Sequence, residues 1–248
     1  GYPYASVRTG LIACNDPCAY ERTSLTEGLT VRHDGGRIAL ESVTSYQYLD
    51  DRMTLDQDFR PESYFTLVQD RREHALTQEF VLRSSGPGRY RWLVGAFGFY
   101  KRMRMQAPVT FGEQGIRELI VDNVRDHTGY APVFYHDEFP LESDFENPVC
   151  GAALYHESSL ELGRWQLTAG LRVEHERARL DYRSSTLYPC RIQQNEIAPF
   201  AIDGRLKRRF TEWMPRFSVL VHAGRTRMNT LYLSAAKGFK AGGFNTQM

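Results

Sequence analysis

The sequence predicts an all-β chain: a fragment of an antiparallel transmembrane β-barrel, about eight long strands with short periplasmic turns and long extracellular loops. Three observations predict it: turns that alternate in length, strand-like runs that are apolar on one face only, and the length of those runs. Short glycine turns stand at Asp34-Gly-Gly36, Gly86-Pro-Gly88, Gly163 and Gly224-Arg-Thr226. Longer polar stretches lie between the hairpins, at 60–71, 112–148 and 184–209. Short turns at one rim and long loops at the other are how outer-membrane barrels are built. A soluble sandwich shows short strands at roughly 8–12-residue spacing instead.

Each hairpin has its own justification. Residues 24–33 reach the first turn and 37–59 leave it; 72–85 and 89–111 flank the second. Residues 149–162 and 164–183 flank Gly163, and 210–223 and 227–242 flank the last turn. Alternation is strictest at Trp165, Leu167, Ala169, Leu171 and Val173, opposed by Gln166, Thr168, Gly170, Arg172 and Glu174. A period of two needs an apolar and a polar environment along the same strand. Leu76, Phe80 and Leu82 oppose Thr77, Glu79 and Arg83 in the same manner, as Trp213, Phe217, Val219 and Val221 oppose Arg216, Ser218 and His222. Between 90 and 100 the pattern weakens, because Trp92 and Phe97 fall on opposite faces and the lumen side is left open. Extended, 165–183 would cover about 60 Å, far beyond a five- or six-residue sandwich strand.

The bulk composition sets limits. Hydrophobic content of 42% with net charge +1 predicts a folded chain and gives no reason to invoke nucleic acid. Aromatic residues at 12% suit strands and interface girdles. No run reaches the roughly 18–20 apolar residues of a membrane helix, which leaves a barrel open, since its spans need only about 9–11. The chain begins without Met, signal peptide or glycine-rich domain, and reads as part of something larger.

Several segments resemble one family. The dozen Ser234-Ala-Ala-Lys-Gly-Phe-Lys-Ala-Gly-Gly-Phe-Asn245, after Leu231-Tyr-Leu, resembles the mid-barrel signature of TonB-dependent outer-membrane receptors. Ser42-Val-Thr-Ser-Tyr46, Gln78-Glu-Phe-Val-Leu-Arg-Ser84, Trp92-Leu-Val-Gly95, Leu167-Thr-Ala-Gly-Leu-Arg-Val-Glu-His175 and Pro215-Arg-Phe-Ser218 are similar to further strands of that family, in family order. Val173 departs from the family's tyrosine, and Val221-His222 from its usual strand end. The resemblance implies a 22-stranded barrel with an N-terminal plug, driven through the TonB–ExbB–ExbD energy-coupling system. Residues 1–248 would then be a partial barrel domain, with plug and C-terminal strands absent. It implies import of a nutrient complex, a ferric siderophore first, with a vitamin or oligosaccharide as the alternative cargo. Membrane lipid and lipopolysaccharide would be the other partners. Outside transport, a barrel enzyme or a soluble β-sandwich binding module are the competing classes.

No catalytic residue, cofactor site or metal site is predicted. G-x-S-x-G, P-loop and H-E-x-x-H patterns are missing, and His156-Glu157-Ser158-Ser159 lacks a second His. Ligand-contact candidates are His127, Tyr130, Tyr135 and His136, with Asp122, Phe134, Asp137 and Glu138 in the same long loop. Aromatic and ionisable loop residues are what a siderophore or sugar site would use, although a plain polar loop has them too. Asp50, Asp51, Asp56 and Asp58 could collect cations, but a charged strand end is the commoner meaning. Arg172, Glu174, Glu176, Arg177 and Arg179 read first as ordinary lumen polarity. Gly238, Gly242 and Gly243 allow a close approach or a bulge, and Lys237 and Lys240 would suit an anion. Cys14–Cys18 is the easier disulfide, Cys150–Cys190 the harder, all on the long-loop side.

Overall fold

A computed structural model describes residues 14–193, 195–197, 199–223 and 229–244. Eight long antiparallel strands form one continuous sheet: β1 (Ala19–Asp34), β2 (Ile38–Asp56), β3 (Phe65–Ser84), β4 (Tyr90–Gln106), β7 (Phe139–Leu162), β8 (Trp165–Thr186), β11 (Phe200–Ala223) and β12 (Asn229–Ala236). They pair in that order, as a meander. Between β4 and β7 the chain forms β5 (Val109–Phe111), a π-helical segment (Gly115–Val121), helix α1 (Asp122–Thr128) and β6 (Pro132–Phe134). Between β8 and β11 it forms β9 (Cys190–Ile192) and β10 (Asn195–Ile197). A second sheet pairs β10, β9 and β6, so the two longest loops are laced together. The two-sheet sandwich is thereby overturned as the main architecture.

The turns at 35–37, 85–89 and 163–164 share one rim because every connected pair is antiparallel. Gly36, Gly86 and Gly163 all have positive φ, which only glycine adopts without strain. The predicted turn at 224–226 lies outside the described residues. The loops occupy the other rim but are shorter than predicted: 57–64, 112–138 and 187–199. Residues 65–71, 139–148 and 200–209 are strand. Polarity hid them, because here both faces carry polar side chains and the period of two disappears. At 107–108 the β4 ladder breaks and β5 resumes it in unchanged register against β3 and β7. Pro108 has no N–H to donate, so the gap belongs to one interrupted strand.

The far end departs in the opposite direction. The predicted strand to 242 ends at Ala236. Lys237 then donates its backbone N–H to Pro215 and its ammonium to Glu212 at 2.8 Å. Phe239 packs against Phe210, and a Cβ on Gly242 would lie 3.1 Å from that ring. The glycine-rich signature thus runs on beside β11 in the register of β12, with Gly242 permitting the approach. β1 and β12 stand at the two ends of the strand order and do not pair with each other among the described residues.

Candidate functional site: the inner wall and its loop cap

Residues directly opposite in adjacent antiparallel strands share a face, so the register sorts every side chain. One face carries Leu40, Leu82, Phe80, Val94, Leu154, Leu171, Trp213 and Phe217 in connected rows. These side chains are exposed, Leu154 at 67% and Trp165 at 52%. The opposite face carries Thr168 and Ser218, directly opposite one another and exposed by only 8% and 5%. Polar in and apolar out is the reverse of a water-soluble core. Trp92 belongs to the apolar face and Phe97 to the polar one, which resolves the strand the sequence left open. Polar groups on the apolar face satisfy one another. Tyr90 Oη and Ser158 Oγ are 2.8 Å apart and His156 Nε2 lies 2.8 Å from Ser158. Gln78 bridges Thr44 and Ser42. Buried or lipid-exposed polar groups cost several kcal/mol, on the order of 2–7, unless paired in this manner.

The polar face is built on glycine–aromatic pairs. A Cβ on Gly95 would fall 2.0 Å from the Tyr155 ring, one on Gly151 would fall 2.5 Å from Phe99, and one on Gly204 would meet the Tyr182 hydroxyl at 2.4 Å. Each ring lies across the strand beside it, covering backbone that a side chain would occupy. The Arg172 guanidinium sits 5.5 Å over Phe97 and 5.6 Å over Tyr155, and pairs with Glu174 at 2.9 Å. Tyr155 donates to Glu79 at 2.7 Å. Of the five ionisable residues predicted along this wall, Arg172, Glu174 and Glu176 share this face, whereas Arg177 and Arg179 lie on the other. Sequence reasoning passed over the Arg172–Phe97–Tyr155 sandwich, because Gly95 and Tyr155 are brought opposite one another only by the register of β4 and β7.

The loop cap rests on the polar-face side. Phe65, Phe111 and Phe139 stack in a ladder at 5.8 and 6.5 Å, and Phe134 of β6 meets Phe139 edge-on at 5.0 Å. Tyr64 donates to Glu118 at 2.5 Å, fastening the π-helical segment to the end of β3. That bond holds the Glu118 carboxyl below its ordinary range and pushes the Tyr64 hydroxyl up. Asp58 accepts from the backbone of Arg60, Tyr64 and Phe65.

The structure divides the candidate ligand residues. His127 lies in α1 with its Nδ1 2.8 Å from the Asn123 carbonyl, and Asp122 pairs with Arg125 at 2.6 Å. Tyr130 and Tyr135 are about half exposed on the cap. His136 meets Tyr188 of the neighbouring loop edge-to-face at 4.7 Å. The pairing of β6 with β9 brings His136 and Tyr188 together, a partner that local sequence could not supply. The four aspartates do not converge. Asp50 pairs with Arg72, Asp51 with Arg22 and Tyr20, Asp56 accepts from the Asn15 backbone, and Asp58 caps its loop. No cluster of three metal-ligating side chains occurs among the described residues. All four cysteines are free. Cys14 and Cys18 Sγ stand 3.8 Å apart without a bond, while Cys150 and Cys190 occupy different sheets. Cys14 and Cys18 lie beside Asp56 and Cys190 in the loop cap, on the long-loop side; Cys150 is in mid-strand.

A long meander with an apolar outer face, a polar inner face and a laced loop cap defines the barrel wall of an outer-membrane type of protein. The family profile described as "TonB dependent receptor-like, beta-barrel" matches residues 13–248, and the chain belongs to that family. Its fold is shared by the ferric yersiniabactin uptake receptor FyuA from Yersinia pestis: TM-score 0.60, 13% identity, 86% of this chain and 28% of that one. The siderophore receptor PiuA from Acinetobacter baumannii aligns at 0.51 and 10% identity over 90% of this chain and 33% of its own. The ferric-catecholate import receptor Fiu from E. coli K12 aligns at 0.50 and 14% identity over 91% and 36%. The chain thus spans about a third of the length of each of these receptors. No curated protein matches it. The family is described as receptor-like, and these neighbours as an uptake receptor, a siderophore receptor and an import receptor.

Proposed function

We propose that the chain is the wall of an outer-membrane receptor that imports a nutrient complex, a ferric siderophore in the first instance, under TonB–ExbB–ExbD drive. The observation that carries the membrane placement is the exposed apolar face, continuous across the long strands. The cargo reading is supported by the aromatic and ionisable cap around Tyr130, Tyr135, His136 and Tyr188, set over a polar wall, and by the siderophore receptors whose fold it shares. A plug and further strands outside this chain complete the receptor on this reading. The test uses the full-length gene: its deletion in the source bacterium should abolish growth on one supplied ferric siderophore under iron limitation. Unimpaired uptake of every ferric siderophore, with lost uptake of a vitamin or glycan, would replace the cargo. Recovery of the protein in the soluble fraction would sink the membrane reading as well.

A further inference from the structure

We infer that His136 and Tyr188, flanked by Tyr135, Asp137 and Glu138, receive a positively charged group of the cargo: the protonated amine of a linear ferric hydroxamate complex. The inference rests on the import of a ferric complex proposed above, and it narrows that cargo by charge.

The patch is held from both loops. Phe134 of β6 packs edge-on against Phe139 at 5.0 Å, and β6 pairs with β9. Tyr188, just before β9, donates its backbone N–H to Thr186 at 3.2 Å, and Thr186 is exposed by only 2%. With both anchors fixed, His136 and Tyr188 meet at 4.7 Å. Tyr135, His136, Asp137 and Glu138 are all exposed.

Charge decides what such a patch can take. The loops 57–64, 112–138 and 187–199 carry nine carboxylates against four arginines and no lysine. The arginines are already engaged. Arg117 pairs with Glu118 at 3.3 Å and Arg125 with Asp122 at 2.6 Å. Arg60 lies over the Tyr64 ring, and Arg191 is directly opposite Glu196. On the inner wall Arg22 pairs with Asp51, and Arg71 and Lys101 with Glu73. By contrast, no ion pair reaches Glu113, Asp137 or Glu138 among the described residues. Aromatic rings attract a cation, and carboxylates beside them add to the attraction. The same surface repels a ferric tris-catecholate, whose ligands bring more negative charge than the iron neutralises. A trihydroxamate just balances the iron, and a terminal amine, protonated at neutral pH, makes the complex cationic. That end group fits the patch.

The test measures binding to the full-length receptor in detergent by quenching of its tryptophan fluorescence. The probes are a ferric linear trihydroxamate with a terminal ammonium, the same complex N-acetylated, and a ferric tris-catecholate. The ammonium form should bind about tenfold tighter than the acetylated one at low salt, and the gap should shrink as ionic strength rises. Asp137→Asn/Glu138→Gln should abolish the gap, whereas D137E/E138D keeps it. Asp144→Asn/Asp203→Asn, with the same charge change on the outer wall, should keep it too. Equal or tighter binding of the acetylated or catecholate complex overturns the inference and leaves the import reading standing. So does a gap that survives D137N/E138Q. Binding of none of the three overturns it as well, and refutes the ferric cargo itself where a vitamin or glycan binds instead.

Discussion

Leu154 is two-thirds exposed on the apolar face, directly opposite Val173 and Ala96. Arginine there should cost about 2–4 kcal/mol if the site lies near the midplane. Gln166→Arg, on the other face of β8 and partly buried there, should cost far less in the same bilayer folding titration. Equal losses would mean that the faces are inverted. On the polar face the sensitive position is Gly95. Alanine there must push Tyr155 aside and break its bond to Glu79. A loss of about 1–3 kcal/mol is expected, whereas Gly98→Ala, 3.8 Å from its nearest neighbour, should be tolerated. At this scale the face of each residue in 165–174 was readable, since alternation alone assigns it. The role of Arg172 was not, because Phe97 and Tyr155 lie on other strands.

The loop cap depends on individual elements. The Tyr64–Glu118 bond predicts a pH window for the docking of 112–128. Glu118 has a lowered folded pKa, so its contribution is complete above about 4.3 and is lost as pH falls through the folded value. Tyr64 has a raised one, so its contribution is complete below about 10 and is lost as pH rises through the folded value. Protection against hydrogen exchange in 115–121, relative to the unfolded rate at each pH, should therefore fall at both extremes. Tyr64→Phe should remove the alkaline limit and weaken the acid one, since Arg117 also pairs with Glu118. Unchanged acid and alkaline limits in that variant would show that the fastening lies elsewhere. A second element is the strap at 14–18. Its thiols are in contact, and the Cys14 thiol is pushed up to about 11 by local desolvation, with Cys18 and Asp56 adding to it. Treatment with a disulfide donor should oxidise Cys14 and Cys18 to each other, slowly at neutral pH and faster as pH rises, because the thiolate attacks. Peptide mapping that finds Cys14 joined to Cys190 would contradict this arrangement.

For the whole molecule, the sheet leaves β1 and β12 each with one unpaired edge among the described residues. Both strands are exposed along their full length. Unpaired edges template association. The 248-residue chain refolded alone in detergent should therefore run as oligomers in light scattering, whereas the full-length receptor should keep its own oligomeric state. A monodisperse monomer of the isolated chain would imply that the edges are closed by something in it.

What the sequence alone determined was periodic or local: strand type, the hairpin order, the short-turn rim and the apolar faces. Each rests on a period of two or on a glycine at positive φ, and both can be read within a few residues. Tertiary structure decided where strands end and what the loops touch. Beyond the apolar band both faces of a strand carry polar side chains, so 65–71, 139–148 and 200–209 lose the alternation that marks a strand and are held by cross-strand hydrogen bonds, ion pairs and the Phe65–Phe111–Phe139 ladder. Likewise His136 meets Tyr188, and Arg172 stands over Phe97 and Tyr155, only through pairings between distant segments. Such contacts are set by register across the sheet, and register is a property of the assembled strands.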